Sequence, residues 1–215
     1  MRYFIFLFLI VSAQGAIAQD QPPFYEEVVA IQKKYDTIWD TSRETIVFTG
    51  SSSVRLWKDL EEVFPQHQIV NSGFGGSQAD NLLSYSDELI LRYNPKKVFI
   101  YEGDNDISAK RKLKEIIGDI EKIIAKIKEK NNTTKIVLIA AKPSIARWRF
   151  RNKYKRLNRK FKRLSEKDDS LAFANIWDVM LEGRKLRGDL FIEDGLHMNA
   201  KGYALWYDVI NNYIE

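Results

Sequence analysis

Apolar positions along the chain follow two alternating rhythms. Short unbroken apolar runs at 45–49, 68–70, 98–101, 136–140 and 171–174 each predict a strand. Between and around them the apolar residues recur at intervals of three and four, which predicts helices. The first covers 22–40, entered through Pro22-Pro23, with Phe24, Val28, Ile31, Tyr35 and Ile38 on one face. The next runs from about 77 to 93 and stops at Asn94-Pro95. A third carries Leu113, Ile116, Ile117, Ile120, Ile124 and Ile127 along one side, and a last one spans roughly 199–213.

Continuously apolar strands are covered on both faces, so the sheet is expected to be parallel with helices on each side. With right-handed crossovers this gives a three-layer α/β/α fold, a five-stranded, mainly parallel sheet of flavodoxin-like topology. No repeat or linker interrupts the alternation, so 19–215 is expected to form a single domain. The first eighteen residues stand apart from it. Arg2, the apolar run Tyr3 to Val11 and the closing Ala16-Ile17-Ala18 form the three-part pattern of a signal peptide cleaved after Ala18. Export to the periplasm or outside the cell is expected, with no stable membrane insertion. The chain has no cysteine, which excludes disulfides, thiolate metal sites and a cysteine nucleophile.

Charge changes the picture at one place. The formal net charge is +5, but Arg147, Arg149, Arg151, Lys153, Lys155, Arg156, Arg159, Lys160, Lys162 and Arg163 crowd one stretch. Phe150, Tyr154, Leu157, Phe161 and Leu164 alternate with them at helical spacing, which reads as one buried stripe backed by a solvated cationic face. Weak attraction to an anionic surface is the residual expectation; nucleic-acid binding is not expected.

In a sheet of this type the ligand crevice lies at the carboxyl ends of the strands. The segments there are Gly50-Ser51-Ser52-Ser53, Asn71 to Gly76, Glu102-Gly103-Asp104-Asn105-Asp106 and Lys142-Pro143-Ser144. The chain has two histidines. His67 precedes a strand and belongs to the opposite rim, as a surface turn residue. His197 follows Asp194 by three residues, and a carboxylate so placed can fix the imidazole tautomer and stabilise its cation. A serine on a tight strand-to-helix turn can be raised towards such a base, although the mechanics of the turn leave Ser51, Ser52 and Ser53 all open. Gly76 through its backbone N–H and Asn105 through its side-chain amide can donate to an oxyanion. Each of these features also has an ordinary structural reading, as a helix cap, a turn glycine or an Asx turn.

The four segments Val47 to Ser53, Asn71 to Gly76, Gly103 to Asp106 and Asp194 to His197, in that order, resemble the sequence blocks of the SGNH (GDSL-like) hydrolases. The resemblance runs from Thr45 to the C-terminus. It implies Ser52 as nucleophile, Asp194 and His197 as its triad partners, and an oxyanion hole formed by Ser52, Gly76 and Asn105. One position departs from the pattern: Ser51 stands where these hydrolases usually carry aspartate. Lys142-Pro143-Ser144 with Arg147-Trp148 also resembles a segment of part of the family, with no role assigned.

The implied activity is a serine esterase acting through an acyl-enzyme on short acyl esters, acetyl first, on a small molecule or a glycan. It needs no cofactor and no metal. Lysophospholipase or thioesterase chemistry is the alternative within the family, and a non-catalytic carbohydrate- or surface-binding module the alternative outside it. Dinucleotide binding fails at Gln78, where a glycine is required. A calcium loop over Asp104 to Glu115 fails at Ala109 for the same reason.

Overall fold

A computed structural model describes residues 21–215; the expected signal segment 1–18 lies outside the described residues. In chain order the elements are α1 (Tyr25–Ile38), β1 (Thr45–Gly50), α2 (Ser52–Arg55), α3 (Leu60–Val63), β2 (Gln68–Gly73), α4 (Ala79–Ser84), α5 (Ser86–Leu89) and β3 (Lys97–Tyr101). They continue with α6 (Asp104–Ser108), α7 (Leu113–Lys130), β4 (Lys135–Ile139), α8 (Arg151–Ser165), β5 (Leu171–Ala174), α9 (Ile176–Val179), the hairpin β6 (Leu181–Glu182) and β7 (Lys185–Leu186), and α10 (Ala200–Ile210). β1 to β5 form one sheet in the order β2-β1-β3-β4-β5, and every pairing in it is parallel. This is the expected three-layer α/β/α fold.

The apolar runs become strands because both faces are covered. Every residue of β1 and of β3 is buried. α7 supplies Ile116, Ile120, Ile123 and Ile127 to one layer, packed beside α4 and α8. In another layer Trp57, Phe64, Tyr203 and Trp206 gather around Phe48 and Tyr101, with Trp57 stacked 5.6 Å from Tyr203. Aromatic pairs of this kind add about 0.5–1.5 kcal/mol beyond the area they bury. They fasten α10, the helix after His197, to the segment after Ser52.

One expected element differs. The helix expected over 77–93 is broken into α4, α5 and a 3₁₀ turn at Leu91–Tyr93. Ser86 Oγ donates to the Leu83 carbonyl at 2.8 Å, and Ser84 Oγ to that of Asp80 at 2.9 Å. Such back-bonding competes with the helical ladder and explains the interruption at Tyr85. Asn94, in the left-handed region at φ 41°, ends the segment before Pro95 as expected. His67 lies at the rim away from Ser52, its ring 3.6 Å from the Glu215 carboxylate.

Register decides what meets at the working rim. Gly50 at the end of β1 is level with Gly73 of β2 and Tyr101 of β3. The loops carrying Ser52, Gly76 and Asn105 therefore leave the sheet side by side.

Candidate active site

The turn after β1 is built by backbone. Gly50 takes φ 121°, and a Cβ there would stand 2.0 Å from the Tyr101 carbonyl oxygen, so only glycine lets the two strands end this close. Ser51 N–H donates to the same carbonyl at 3.1 Å, while the Ser51 carbonyl accepts from Val54 and Arg55 at 2.9 and 3.3 Å. α2 starts at Ser52. The turn that an aspartate usually precedes is thus held here by main-chain bonds, with Ser51 buried. From behind, Asn71 Nδ2 donates to the Val54 carbonyl at 3.0 Å, and the Tyr203 hydroxyl to that of Ser53 at 3.0 Å.

Of the three serines, Ser52 is the one brought to the histidine: its Oγ lies 2.9 Å from His197 Nε2. His197 Nδ1 lies 2.6 Å from Asp194 Oδ2. An ionised carboxylate only accepts, so Nδ1 carries the proton and Nε2 is free to accept from Ser52. The other oxygen, Asp194 Oδ1, accepts from the Leu196 and His197 N–H groups at 2.8 and 2.9 Å. Desolvation works against the Asp194 anion, but the two backbone donors and the imidazole outweigh it and bring its pKa down to about 2. Gly195, at φ 62°, makes the reversal between the two residues.

Gly76 and Asn105 are brought to one another. Asn105 Nδ2 donates to the carbonyl of Ser77, the residue after Gly76, at 2.8 Å. Gly76 has φ 77° and open space where a Cβ would be, so conformation rather than crowding selects glycine there. Among the described residues its N–H donates to no protein acceptor. The preceding N–H, of Gly75, is held at 3.0 Å by both oxygens of Glu27 from α1, an anchor that the sequence did not reveal.

The acidic loop after β3 does not converge on a point. Glu102 accepts from Ser77 Oγ at 2.7 Å, and burial followed by the nearby Asp106 pushes its pKa well above the carboxylate range. Asp106 accepts from Arg111 at 2.7 Å and from the Ala79 N–H. Asp104 turns to a third set of partners. Its Oδ1 accepts from Arg147 at 2.6 Å and from the Tyr154 hydroxyl at 2.5 Å; its Oδ2 accepts from Tyr101 at 3.1 Å and lies 3.5 Å from Lys142 Nζ. Burial opposes ionisation of Asp104, and the charges of Lys142 and Arg147 overcome it, holding the pKa below the usual value. No cluster of three or more metal-ligating side chains occurs among the described residues.

Lys142, Arg147 and Tyr154 are the participants that the sequence left without a role. Tyr154 reads from the sequence as one more apolar position in a helical stripe. The available signal was a lysine at the rim after β4, adjacent in the sheet to an acidic loop after β3. Exposed Ile145 and Ile192 flank the histidine loop. A cavity of about 620 Å³ between the α2–α3 segment and α10 is lined by none of Ser52, Gly76, Asn105, Asp194 or His197. No helix of the described residues is long and apolar enough to cross a membrane.

Residues 38–205 match the GDSL-like Lipase/Acylhydrolase family. A curated relative, the N-acylneuraminate cytidylyltransferase of Escherichia coli O18:K1:H7, is 26% identical over 189 residues. That match takes in 86% of this chain and 42% of the relative, so the chain spans less than half the relative's length. A solved structure from Streptococcus pneumonia, described as a platelet activating factor, superposes with a TM-score of 0.77 at 25% identity, over 88% of this chain and 94% of the other. An acetylxylan esterase from Geobacillus stearothermophilus, solved as a Ser-to-Ala catalytic mutant, has the same fold at TM-score 0.64 and 16% identity, over 79% of this chain and 93% of the other.

Proposed function

We propose that this chain, which belongs to the GDSL-like lipase/acylhydrolase family, is a serine esterase that removes short acyl groups from carbohydrate. The reading is carried by the hydrogen-bonded line Ser52–His197–Asp194, with its 2.9 and 2.6 Å contacts. In the first step His197 Nε2 takes the Ser52 proton as Oγ attacks the ester carbonyl. The oxyanion is received by the N–H groups of Ser52 and Gly76 and the second N–H of the Asn105 amide. His197 then gives its proton to the leaving alcohol, and water repeats the sequence on the acyl-enzyme. Asp194 holds the imidazole and its charge throughout. The chain's own groups complete this sequence without a cofactor.

The choice of a carbohydrate ester draws on the relatives and on surface charge. The acetylxylan esterase shares the fold, and the curated relative is named for an acidic sugar, N-acylneuraminate. The cationic side chains of α8 from Arg151 to Arg163 are exposed, and within 4 Å only Lys162 among them has a carboxylate partner among the described residues, Glu166 at 3.8 Å. That face would favour an acidic carrier. In this reading the reaction takes place outside the cytoplasm, as the N-terminal signal pattern leads one to expect.

Two measurements test it. A fluorophosphonate probe should label the protein and lose its target in Ser52→Ala; absence of labelling in the wild type would leave a binding module as the better reading. A chain-length series of p-nitrophenyl esters, set beside acetate release from acetylated polysaccharides, tests the acyl and alcohol groups. Turnover that rises with acyl length would move the assignment to lipid or thioester substrates.

A further inference from the structure

Arg147 makes an unusual choice of partners. Its Nη1 donates both to Asp104 Oδ1 at 2.6 Å and to the neutral amide oxygen Asn105 Oδ1 at 3.0 Å. The guanidinium is four-fifths buried (17% exposed), the Asp104 side chain is 5% exposed, and Lys142 is fully enclosed. Burying three charges is costly, and an apolar cluster of similar volume is often as stable or more so. A purely structural need does not explain the arrangement.

We infer that Arg147 is a positioning residue for the Asn105 amide, and that Asp104 and Lys142 fix it to the loop that carries His197. The inference rests on the esterase reading above. A primary amide has one oxygen and two N–H groups. With the oxygen held by Arg147 and one N–H given to the Ser77 carbonyl, one N–H remains for an oxyanion. A flip of the amide would set its NH₂ against the guanidinium, donor against donor, so the cation selects the orientation in which nitrogen faces the reaction. It also draws electron density from the amide oxygen, which strengthens the remaining N–H as a donor.

Asp104 holds Arg147 through Oδ1 and pairs through Oδ2 with Lys142, whose Nζ donates to the Leu196 carbonyl at 2.7 Å. Leu196 immediately precedes His197. Oxyanion donor and base loop are therefore referred to one buried carboxylate, although they lie 92 residues apart in the chain. Lysine cannot replace arginine here without loss: its side chain is one bond shorter, so the ammonium falls short of the point from which Nη1 alone serves both Asp104 and Asn105, and it lacks the rigid plane that fixes that donor.

The test is a kinetic cycle on p-nitrophenyl acetate with Arg147→Met, Asn105→Ala and the double variant. Arg147→Met should lower kcat by about 10- to 100-fold, less than loss of the donor itself, with KM unchanged within about two-fold. Because Arg147 acts through Asn105, the double variant should lose no more than Asn105→Ala alone. Multiplied losses in the double variant, or an unchanged kcat in Arg147→Met, overturn the proposal. Arg147→Lys keeps a cation beside Asp104 and decides the matter if the methionine variant does not fold: a kcat equal to wild type overturns it. Added guanidinium should restore part of kcat in Arg147→Ala and leave Asn105→Ala unaffected. Wild-type protein that neither hydrolyses the ester nor takes up the fluorophosphonate fails the esterase reading and this inference together. An active, labelled wild type beside an unaffected Arg147→Met fails this inference alone.

Discussion

Two aspartates at the same rim are kept ionised by opposite means. Asp194 is 42% exposed and is held by its own neighbours, the N–H groups of Leu196 and His197 and the imidazole between them. Asp104 is almost entirely enclosed and is held by Tyr101, Lys142, Arg147 and Tyr154, which arrive from other elements. The first arrangement is local and leaves the carboxylate beside water, where it can support an imidazole that repeatedly gains and loses charge. The second is assembled by the tertiary fold and sets a geometry that is not meant to change. In the proposed reading a catalytic carboxylate and a scaffolding carboxylate thus share a depressed pKa while differing in everything that produces it.

The contrast can be broken by exchanging each acid for its amide. Asp194→Asn should lower kcat by about 10⁴-fold, because the imidazole loses the partner that fixes its tautomer and stabilises its cation. Its stability should fall by no more than about 1–2 kcal/mol, because the side chain is 42% exposed and the asparagine oxygen can still accept from the two backbone N–H groups. Asp104→Asn should put its larger loss in stability, with a smaller fall in kcat transmitted through Arg147 and Asn105. It leaves Lys142 and Arg147 buried without their anion, which should cost about 3–5 kcal/mol and show as a lowered Tm in calorimetry. If Asp104→Asn unfolds at the wild-type temperature, the enclosed network is not the anchor described above.

Acid sharpens the same comparison. The pKa of Asp104 is depressed in the folded protein, so its contribution is complete above the unfolded carboxylate value of about 3.9 and is lost as pH falls through the folded value. Wild-type unfolding free energy should therefore decline as pH falls below about 4, and Asp104→Asn should decline less. Equal slopes in denaturant titrations would remove Asp104 from the account. The smallest effect concerns α8. Raising salt from 50 to 200 mM should weaken KM for an acidic acetylated polysaccharide and leave p-nitrophenyl acetate untouched, since surface attraction is screened within about 10 Å. Salt-independent turnover of both would assign the cationic face to solvation alone.

Much of this is legible in the sequence. The strand runs, the helical stripe of Ile116 to Ile127 and the buried face of Tyr154, Leu157 and Phe161 all follow from spacing, because burial on both faces of a parallel sheet leaves a continuous apolar signature. Less legible was the break at Tyr85, where serine hydroxyls compete for helical carbonyls over distances that composition does not encode. The local partnership of Asp194 with His197 could be read from three residues of separation. The choice of Ser52 over Ser51 and Ser53 could be read only through family resemblance, and the 2.9 Å contact to His197 is a product of folding.

What the sequence determined by itself was periodicity: which segments are strands, which faces are buried, and which polar residues stand at the carboxyl ends of strands. The tertiary structure alone decided which of those polar residues meet. Lys142, Arg147 and Asp104 carry no mutual signal along the chain, since an ion pair depends on distance in space and on exclusion from water. Both are properties of the closed sheet rather than of any stretch of residues.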